Sequence, residues 1–306
     1  MKKTLLLIAT LLASYVGMAQ ETYHPTAENL KAREQFQDDK FGIFLHWGLY
    51  SMMGTTEWIM TNRDINYKEY PKLAKTFYPS EFDADAWVKA IKAAGAKYIT
   101  ITTRHHDGFS LFKTATSSYN SVDGTPFKRD IIKEMADACQ RNGIKLHLYY
   151  SHLDWGREDY PVGRTGTGTG RPKEKANWAS YYKFMNTQLT ELLTNYGKVG
   201  AIWFDGWWDH DSDAKPFDWQ LEEQYALIHK LQPQCLIANN HHHTPFPGED
   251  IQIFERDLPG ENKAGLSGQS IGRLPLESCQ TINEHWGYNI TDTLYKSPKE
   301  LIQMLV

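Results

Sequence analysis

Three features of the 306-residue sequence predict an α/β protein folded as a (β/α)8-type, TIM-like barrel. Seven short apolar runs recur along the chain. Helical patterns separate them, and polar side chains gather just after each run. Near-continuous apolar runs fit strands covered on both faces, as in a parallel sheet. Repeated strand–helix units without a linker fit an α/β domain, and such a barrel needs roughly 250 residues.

The expected strands are 41–47 (FGIFLHW), 98–103 (YITITT), 145–150 (KLHLYY), 201–204 (AIWF), 235–238 (CLIA), 251–254 (IQIF) and, more weakly, 274–276. Between them, 83–94 carries Trp87, Ile91 and Ala94 at helical spacing, with Gly95 suited to its carboxyl cap. Residues 130–141 repeat the pattern with Ile131, Met135 and Ala138, and Gly143 follows. Segments 175–196 and 220–231 are further amphipathic helices, ended by Gly197 and Pro233. A last helix begins at Ser297, whose hydroxyl and following Pro298 suit a cap and first turn. The glycine-rich stretch 163–172 follows no strand in nucleotide-loop register and reads as a surface loop. No eighth strand precedes Val306, so a catalytic barrel over 20–306 is expected to lack its last strand.

Residues 1–19 read as an export signal. Lys2 and Lys3 precede an apolar run over 5–16, and Gly17 and Ala19 place small residues before the cut. The run is short for a membrane span and no Cys sits at the cut. The expectation is a periplasmic or secreted protein without a membrane anchor. Lys plus Arg number 33 against 37 acids, so bulk charge offers nothing to nucleic acid. Three cysteines, Cys139, Cys235 and Cys279, cannot all pair within one chain, and no CxxC spacing marks a zinc cluster. They read as buried small hydrophobes, with one disulfide open. Ten Trp, 17 Tyr and 12 His give flat apolar faces and neutral hydrogen-bonding groups, which suit an uncharged polar ligand such as a sugar or simply a large aromatic core.

The polar residues choose the ends of the strands. His46 and Trp47 follow the first; Arg104, His105, His106 and Asp107 the second; Ser151, His152, Asp154 and Trp155 the third. Asp205 ends the fourth, Asn239, Asn240 and His241 the fifth, Glu255 the sixth and Glu277 the seventh. In a parallel barrel these ends share one mouth, where active sites are built. Two carboxylates there suggest glycoside hydrolysis, one attacking the sugar and one protonating the departing oxygen.

Five motifs, 41–58 (FGIFLHWGLYSMMGTTEW), 102–109 (TTRHHDGF), 149–155 (YYSHLDW), 202–206 (IWFDG) and 285–289 (HWGYN), resemble the α-L-fucosidases of glycoside hydrolase family 29. The resemblance runs from about residue 31 to the end. It implies a retaining exo-glycosidase on a (β/α) barrel, usually followed by a β-sandwich for which no sequence remains here. It implies no cofactor or metal, and a fucosylated oligosaccharide or glycoconjugate as substrate. By position it makes Asp205 the nucleophile and Trp203 a sugar-contacting ring. His46, His105 and His106 would bind fucose hydroxyls, and Glu57 and Trp58 the sugar's polar face. Tyr150 would stand beside the nucleophile and Trp286 near the fucose methyl group. Asn240 and His241 take the place of an arginine that some members have after the fifth strand. Glu255 is the first choice for acid/base and Glu277 its rival. Two other readings compete: a fucose-binding protein without catalysis, and a metal-dependent hydrolase using His105, His106, His241, His243 and Asp205.

Overall fold

The computed structural model describes residues 23–306, so the segment read as an export signal lies outside the described residues. Seven parallel strands follow in chain order: β1 (Gly42–Leu45), β2 (Tyr98–Arg104), β3 (Lys145–Ser151), β4 (Ala201–Asp205), β5 (Leu236–Asn240), β6 (Gln252–Glu255) and β7 (Leu276–Cys279). The first five form one sheet, and β6 pairs with β7. An Ala238–Ile251 bridge, with the Asp250 and Ile251 amides donating to the Ile237 carbonyl, joins the two. The helices are α1 (Ala27–Asp39), α2 (Ile59–Asn62), α3 (Ala84–Ala93), α4 (Ile131–Asn142), α5 (Trp178–Asn195), α6 (Leu221–Leu231) and α7 (Pro298–Leu305). No helix among the described residues is long and apolar enough to cross a membrane.

Strand alternation sorts two cores. Ile99, Ile101, Leu148, Tyr150, Ile202, Phe204 and Ile237 face outward and pack with Val88, Met135, Leu189 and Ile228 of the helical layer. Each such side chain contributes roughly 1.5–3 kcal/mol by leaving water. The residues between them, Tyr149, Ala201, Trp203, Leu236 and Ala238, face inward with Ile251, Ile253 and Cys279. Phe36 of α1 joins this inner cluster beside Tyr98 and His147, so α1 covers the amino-terminal end of the sheet.

Local chemistry explains the helix starts. Asp83, Asp130, Asn177 and Ser297 each accept an amide hydrogen of the first turn from the capping position. α1 escapes the sequence pattern because only Asn29 and Phe36 of its 13 residues are buried. The seventh strand starts at Leu276 rather than at 274, which puts Glu277 inside it and not at its end. All three cysteines are free and buried. Among the described residues no strand joins β7 to β1. Instead, segment 285–290 is tied to the loop after β1. The Gly287 amide donates to Glu57 at 2.8 Å and the Ile290 amide to the Gly54 carbonyl at 2.9 Å.

Candidate active site

Asp205 is the last residue of β4 and pairs in register with Asn240, the last of β5, and with Ser151 on β3. The chain turns sharply at Gly206. Its φ of +96° suits glycine, and a Cβ there would sit 3.0 Å from the Leu153 backbone nitrogen. That turn aims the Gly206 amide back at Asp205 Oδ1, 2.8 Å away. The Trp208 indole donates to the same oxygen at 2.9 Å, and Tyr149 Oη donates to Oδ2 at 2.9 Å. His106 Nε2 lies 3.4 Å from Oδ2. Ser151 gives its one hydroxyl hydrogen to the Leu153 carbonyl, so the 2.7 Å contact to His106 Nδ1 is a hydrogen carried by the histidine. Burial alone would raise the Asp205 carboxyl. His106, Trp208 and Tyr149 outweigh it and hold the acid well below the usual carboxylate range. Asp205 is therefore an anion kept in place by donors.

Glu255 closes β6 on the same inner face. Asn240 Nδ2 donates to its Oε2 at 2.8 Å, and His242 Nε2 is 2.9 Å from that oxygen. No hydrogen bond reaches Oε1 among the described residues. Asn240 Nδ2 also touches Asp205 Oδ1 at 3.4 Å. The two carboxylate oxygens can thus be no farther apart than the sum of those two Asn240 distances.

A cavity of about 190 Å³ opens on both carboxylates. His46, Glu57, Trp58, His105, Trp203 and Trp286 line it as expected, joined by Tyr149, Trp208, Asn240 and His242. Trp286 stacks on His46 with centroids 5.6 Å apart, and Trp58 on Trp208 at 5.5 Å. Burial holds His46 neutral, with its pKa lowered to about 4, and burial together with His106 and His46 also holds His105 well below the usual imidazole range. Neutral imidazoles can each give and accept one hydrogen bond, which is what sugar hydroxyls require. Phe44, Trp58, Tyr149, Trp203, Trp208 and Trp286 give the cavity its aromatic walls.

Five expectations change. Tyr150 does not face Asp205: its hydroxyl donates to Gln188 of α5 at 2.7 Å, on the helix side. With a side-chain period of two, its neighbour Tyr149 takes the inner place. Tyr149→Phe should therefore lower kcat/KM by about ten- to a hundredfold, a charge-assisted hydrogen bond's worth. Tyr150→Phe should instead cost about 1 kcal/mol of stability in denaturant titration with unaltered kinetics. His241 also leaves the cavity. It is buried against Glu249, 3.0 Å away, and it is His242 that reaches Glu255. His106 supports Asp205 from beneath rather than lining the cavity. Arg104 and Asp154, also at strand ends, pair with each other at 2.5 Å on the helix side.

Glu277 is the fifth. It pairs with Ile253, one inward-facing position below Glu255, and Cys279 holds the level beside Glu255. Trp203 Nε1 donates to its Oε1 at 2.9 Å, and its Oε2 is buried without a partner. Burial, countered only by Trp203, pushes its pKa up to about 7. A carboxyl raised in the fold binds its proton more tightly there than in the unfolded chain. Its contribution to stability is full below the unfolded value and drains away as pH rises through 7. Glu277→Gln should therefore stabilise the protein at pH 8 by on the order of 3 kcal/mol, seen as a higher melting temperature, and leave the melting temperature unchanged at pH 4. Paired thermal melts at the two values check this.

Among the described residues no three His, Cys, Asp or Glu side chains are placed to hold a metal ion. A larger cavity of about 900 Å³ lies at the opposite end, between α1 and the strand starts, and none of the strand-end carboxylates reaches it.

The α-L-fucosidase family model matches residues 10–306. The plasma α-L-fucosidase of Rattus norvegicus is 32% identical over 334 residues, covering 99% of this chain and 67% of that protein. A putative α-L-fucosidase of Caenorhabditis elegans is 30% identical over 300 residues, covering 89% of this chain and 57% of its own length. Among solved structures, α-L-fucosidase isoenzyme 1 from Paenibacillus thiaminolyticus superposes with a TM-score of 0.76 at 37% identity, over 90% of this chain and 67% of that one. The α-L-fucosidase AlfC from Lactobacillus casei, in complex with its α-L-fucose product, gives a TM-score of 0.76 at 29% identity, over 90% and 86% of the two chains. The chain thus spans between about half and two thirds of the curated relatives just compared. On this match and on the seven-stranded parallel frame that carries the carboxylate pair, the chain belongs to the α-L-fucosidase family.

Proposed function

We propose that the protein hydrolyses terminal α-L-fucosyl residues with retention, using Asp205 as nucleophile and Glu255 as acid/base. The observation that supports this reading is the pair of carboxylates bridged by Asn240 at one cavity. The unequal settings of the two support the unequal roles. Asp205 accepts hydrogen bonds from Tyr149 Oη, the Gly206 amide and the Trp208 indole and stays ionised. Glu255 keeps one oxygen without a hydrogen bond, available to hand over a proton.

In the first step an Asp205 oxygen bonds to the anomeric carbon as the glycosidic bond breaks. The bonding pair goes to the departing oxygen, which takes the proton from Glu255 Oε1. In the second, the Glu255 carboxylate removes a proton from water, the water oxygen attacks the same carbon, and the Asp205 carboxylate is released. Neutral His46 and His105 bind ring hydroxyls, while Trp203 and Trp286 supply the apolar wall that a 6-deoxy sugar needs. AlfC in its fucose and aryl-fucoside complexes is the relative whose substrate supports this choice.

Export belongs to the same reading: the lysines, apolar run and small residues of segment 1–19 support delivery out of the cytoplasm, to the periplasm or the medium. Proton NMR of the reaction checks the stereochemistry. The α-anomer of fucose should appear first and mutarotate later; initial release of the β-anomer would contradict the double displacement.

A further inference from the structure

The cavity of about 900 Å³ under α1 lies at the amino-terminal end of the strands and has more than four times the volume of the cavity at the carboxylates. We propose that it is a second, non-catalytic binding site, apart from the fucosidase reading, and that its ligand is a neutral saccharide of one or two sugar units.

The side that α1 turns toward the barrel is polar. Glu28, Lys31 and Gln35 recur at spacings of three and four, which places them on one side of the helix, and all three line the cavity. A helix laid over a core normally presents an apolar stripe there, as α4 does with buried Ile132, Met135 and Cys139. In α1 only Phe36 plays that part. The helix is fastened across the strand starts by Arg33 on Asp250 at 2.6 Å and by Asp39 on Lys145 at 2.5 Å. Its polar side therefore roofs the space between these ties.

The floor holds an imidazole that the protein leaves without a partner. His147 precedes Tyr149 by two residues on β3, so it faces the same inner side. It is 2% exposed, lines the cavity and stacks on Tyr98 with centroids 4.5 Å apart. Its Nδ1 is buried without a hydrogen bond. The Nε2 edge lies over Gly200, also in the cavity wall, where a Cβ would stand 2.8 Å from the nitrogen. Glycine at 200 thus leaves that edge uncovered. Burial keeps the ring neutral, with its pKa lowered to about 3, and a neutral imidazole gives one hydrogen bond and accepts another. Buried polar groups seek partners, and a ligand hydroxyl at Nε2 supplies one.

The charges of the lining nearly cancel. Lys31, Lys145 and Lys198 stand against Glu28 and Asp39, and Lys145 is already paired with Asp39. The carboxyl ends of α4 and α5 border the cavity at Gly143 and Gly197 and add partial negative charge. An ion gains little from such walls. A hydroxyl-rich neutral molecule bonds to ammonium, carboxylate, amide and imidazole alike. Ile144, Leu146 and Leu236 form an apolar part of the wall, which suits the C–H face of a sugar ring. With Asp39 tied to Lys145, Glu28 is the one remaining carboxylate of the lining, so two-carboxylate hydrolysis has no place here.

The test uses the full chain labelled with [15N]histidine, and lactose, N-acetyllactosamine and sucrose as probes, none of which carries fucose. The His147 ring resonances, assigned by their loss in His147→Phe, should shift saturably with at least one probe at millimolar concentration. Gln35→Trp, at an exposed position of α1, fills the cavity from its roof. In protein shown by its melting curve to be folded, it should weaken that binding about tenfold or more and leave turnover of 4-nitrophenyl α-L-fucoside at the wild-type level. No saturable shift with any of the three probes overturns the proposal, as does binding that survives Gln35→Trp unchanged. Acetate or inorganic phosphate saturating the same resonances more tightly than every saccharide overturns the neutral ligand. Absence of fucoside turnover in the wild-type protein, with the His147 shifts intact, would overturn the fucosidase reading alone.

Discussion

Asp205→Gly should lower hydrolysis of an aryl α-L-fucoside by about 10⁴-fold or more, and sodium azide should restore turnover with β-L-fucosyl azide as the product. The magnitude reflects loss of the group that forms the covalent intermediate. The rescue follows from geometry. The space vacated by the carboxylate is still edged by the Gly206 amide, the Trp208 indole and Tyr149 Oη, all donors aimed at a negative charge. A small anion can occupy that space and attack the anomeric carbon from the same face, giving the inverted product. The same donors predict a structural cost, because buried groups that had a carboxylate to bond now lack one. Melting curves of the variant separate that cost from the catalytic one. Undiminished activity would remove Asp205 from the mechanism.

Glu255→Ala should affect substrates in proportion to the help their leaving group needs. General acid catalysis contributes about 10²–10⁴-fold. A saccharide leaving group departs as a poorly stabilised alkoxide unless protonated, so its kcat/KM should drop by that full range. A nitrophenolate leaves unaided, so the first step with 4-nitrophenyl fucoside should suffer far less and slow deglycosylation should dominate. Azide should accelerate that second step and yield α-L-fucosyl azide, the opposite anomer from the Asp205→Gly rescue. Glu277→Ala should show no such dependence on leaving group, since Glu277 lies beneath the cavity and holds Trp203. Opposite azide anomers from the two variants would identify the two roles independently of any rate.

Much of the frame was legible in the sequence because burial writes itself into composition. Six of the seven strands coincide with their apolar runs, since sheets covered on both faces demand uninterrupted hydrophobic segments. The polar strand ends and the family motifs placed Asp205, His46, His105, Glu57, Trp58, Trp203 and Trp286 at one mouth, as the structure shows. The errors share one physical origin, which is register. A run such as KLHLYY is apolar on both faces, so nothing in its pattern tells which tyrosine turns inward. Pairing with β4 decides it, setting Tyr149 opposite Trp203. In β7 a start two residues later carried Glu277 from the rim into the interior. In the turn after β5, the left-handed conformation of His242 directs that residue, rather than His241, to Glu255, and backbone handedness at a non-glycine residue has no sequence signature. Trp208 was missed for a related reason. It lies three residues past Asp205, and only the turn at Gly206 brings its indole back onto the carboxylate.

The central claim, a covalent bond between the sugar and residue 205, is tested most directly by trapping it. Incubation with a 2-deoxy-2-fluoro-L-fucosyl fluoride slows both steps but the second more, so the glycosyl-enzyme accumulates. Mass spectrometry of the digested protein should then find one fluorofucosyl group on the peptide containing Asp205, lost again on incubation with a reactivating acceptor. A label on Glu255, Glu277 or any other residue, or time-dependent turnover with no adduct, would contradict the account.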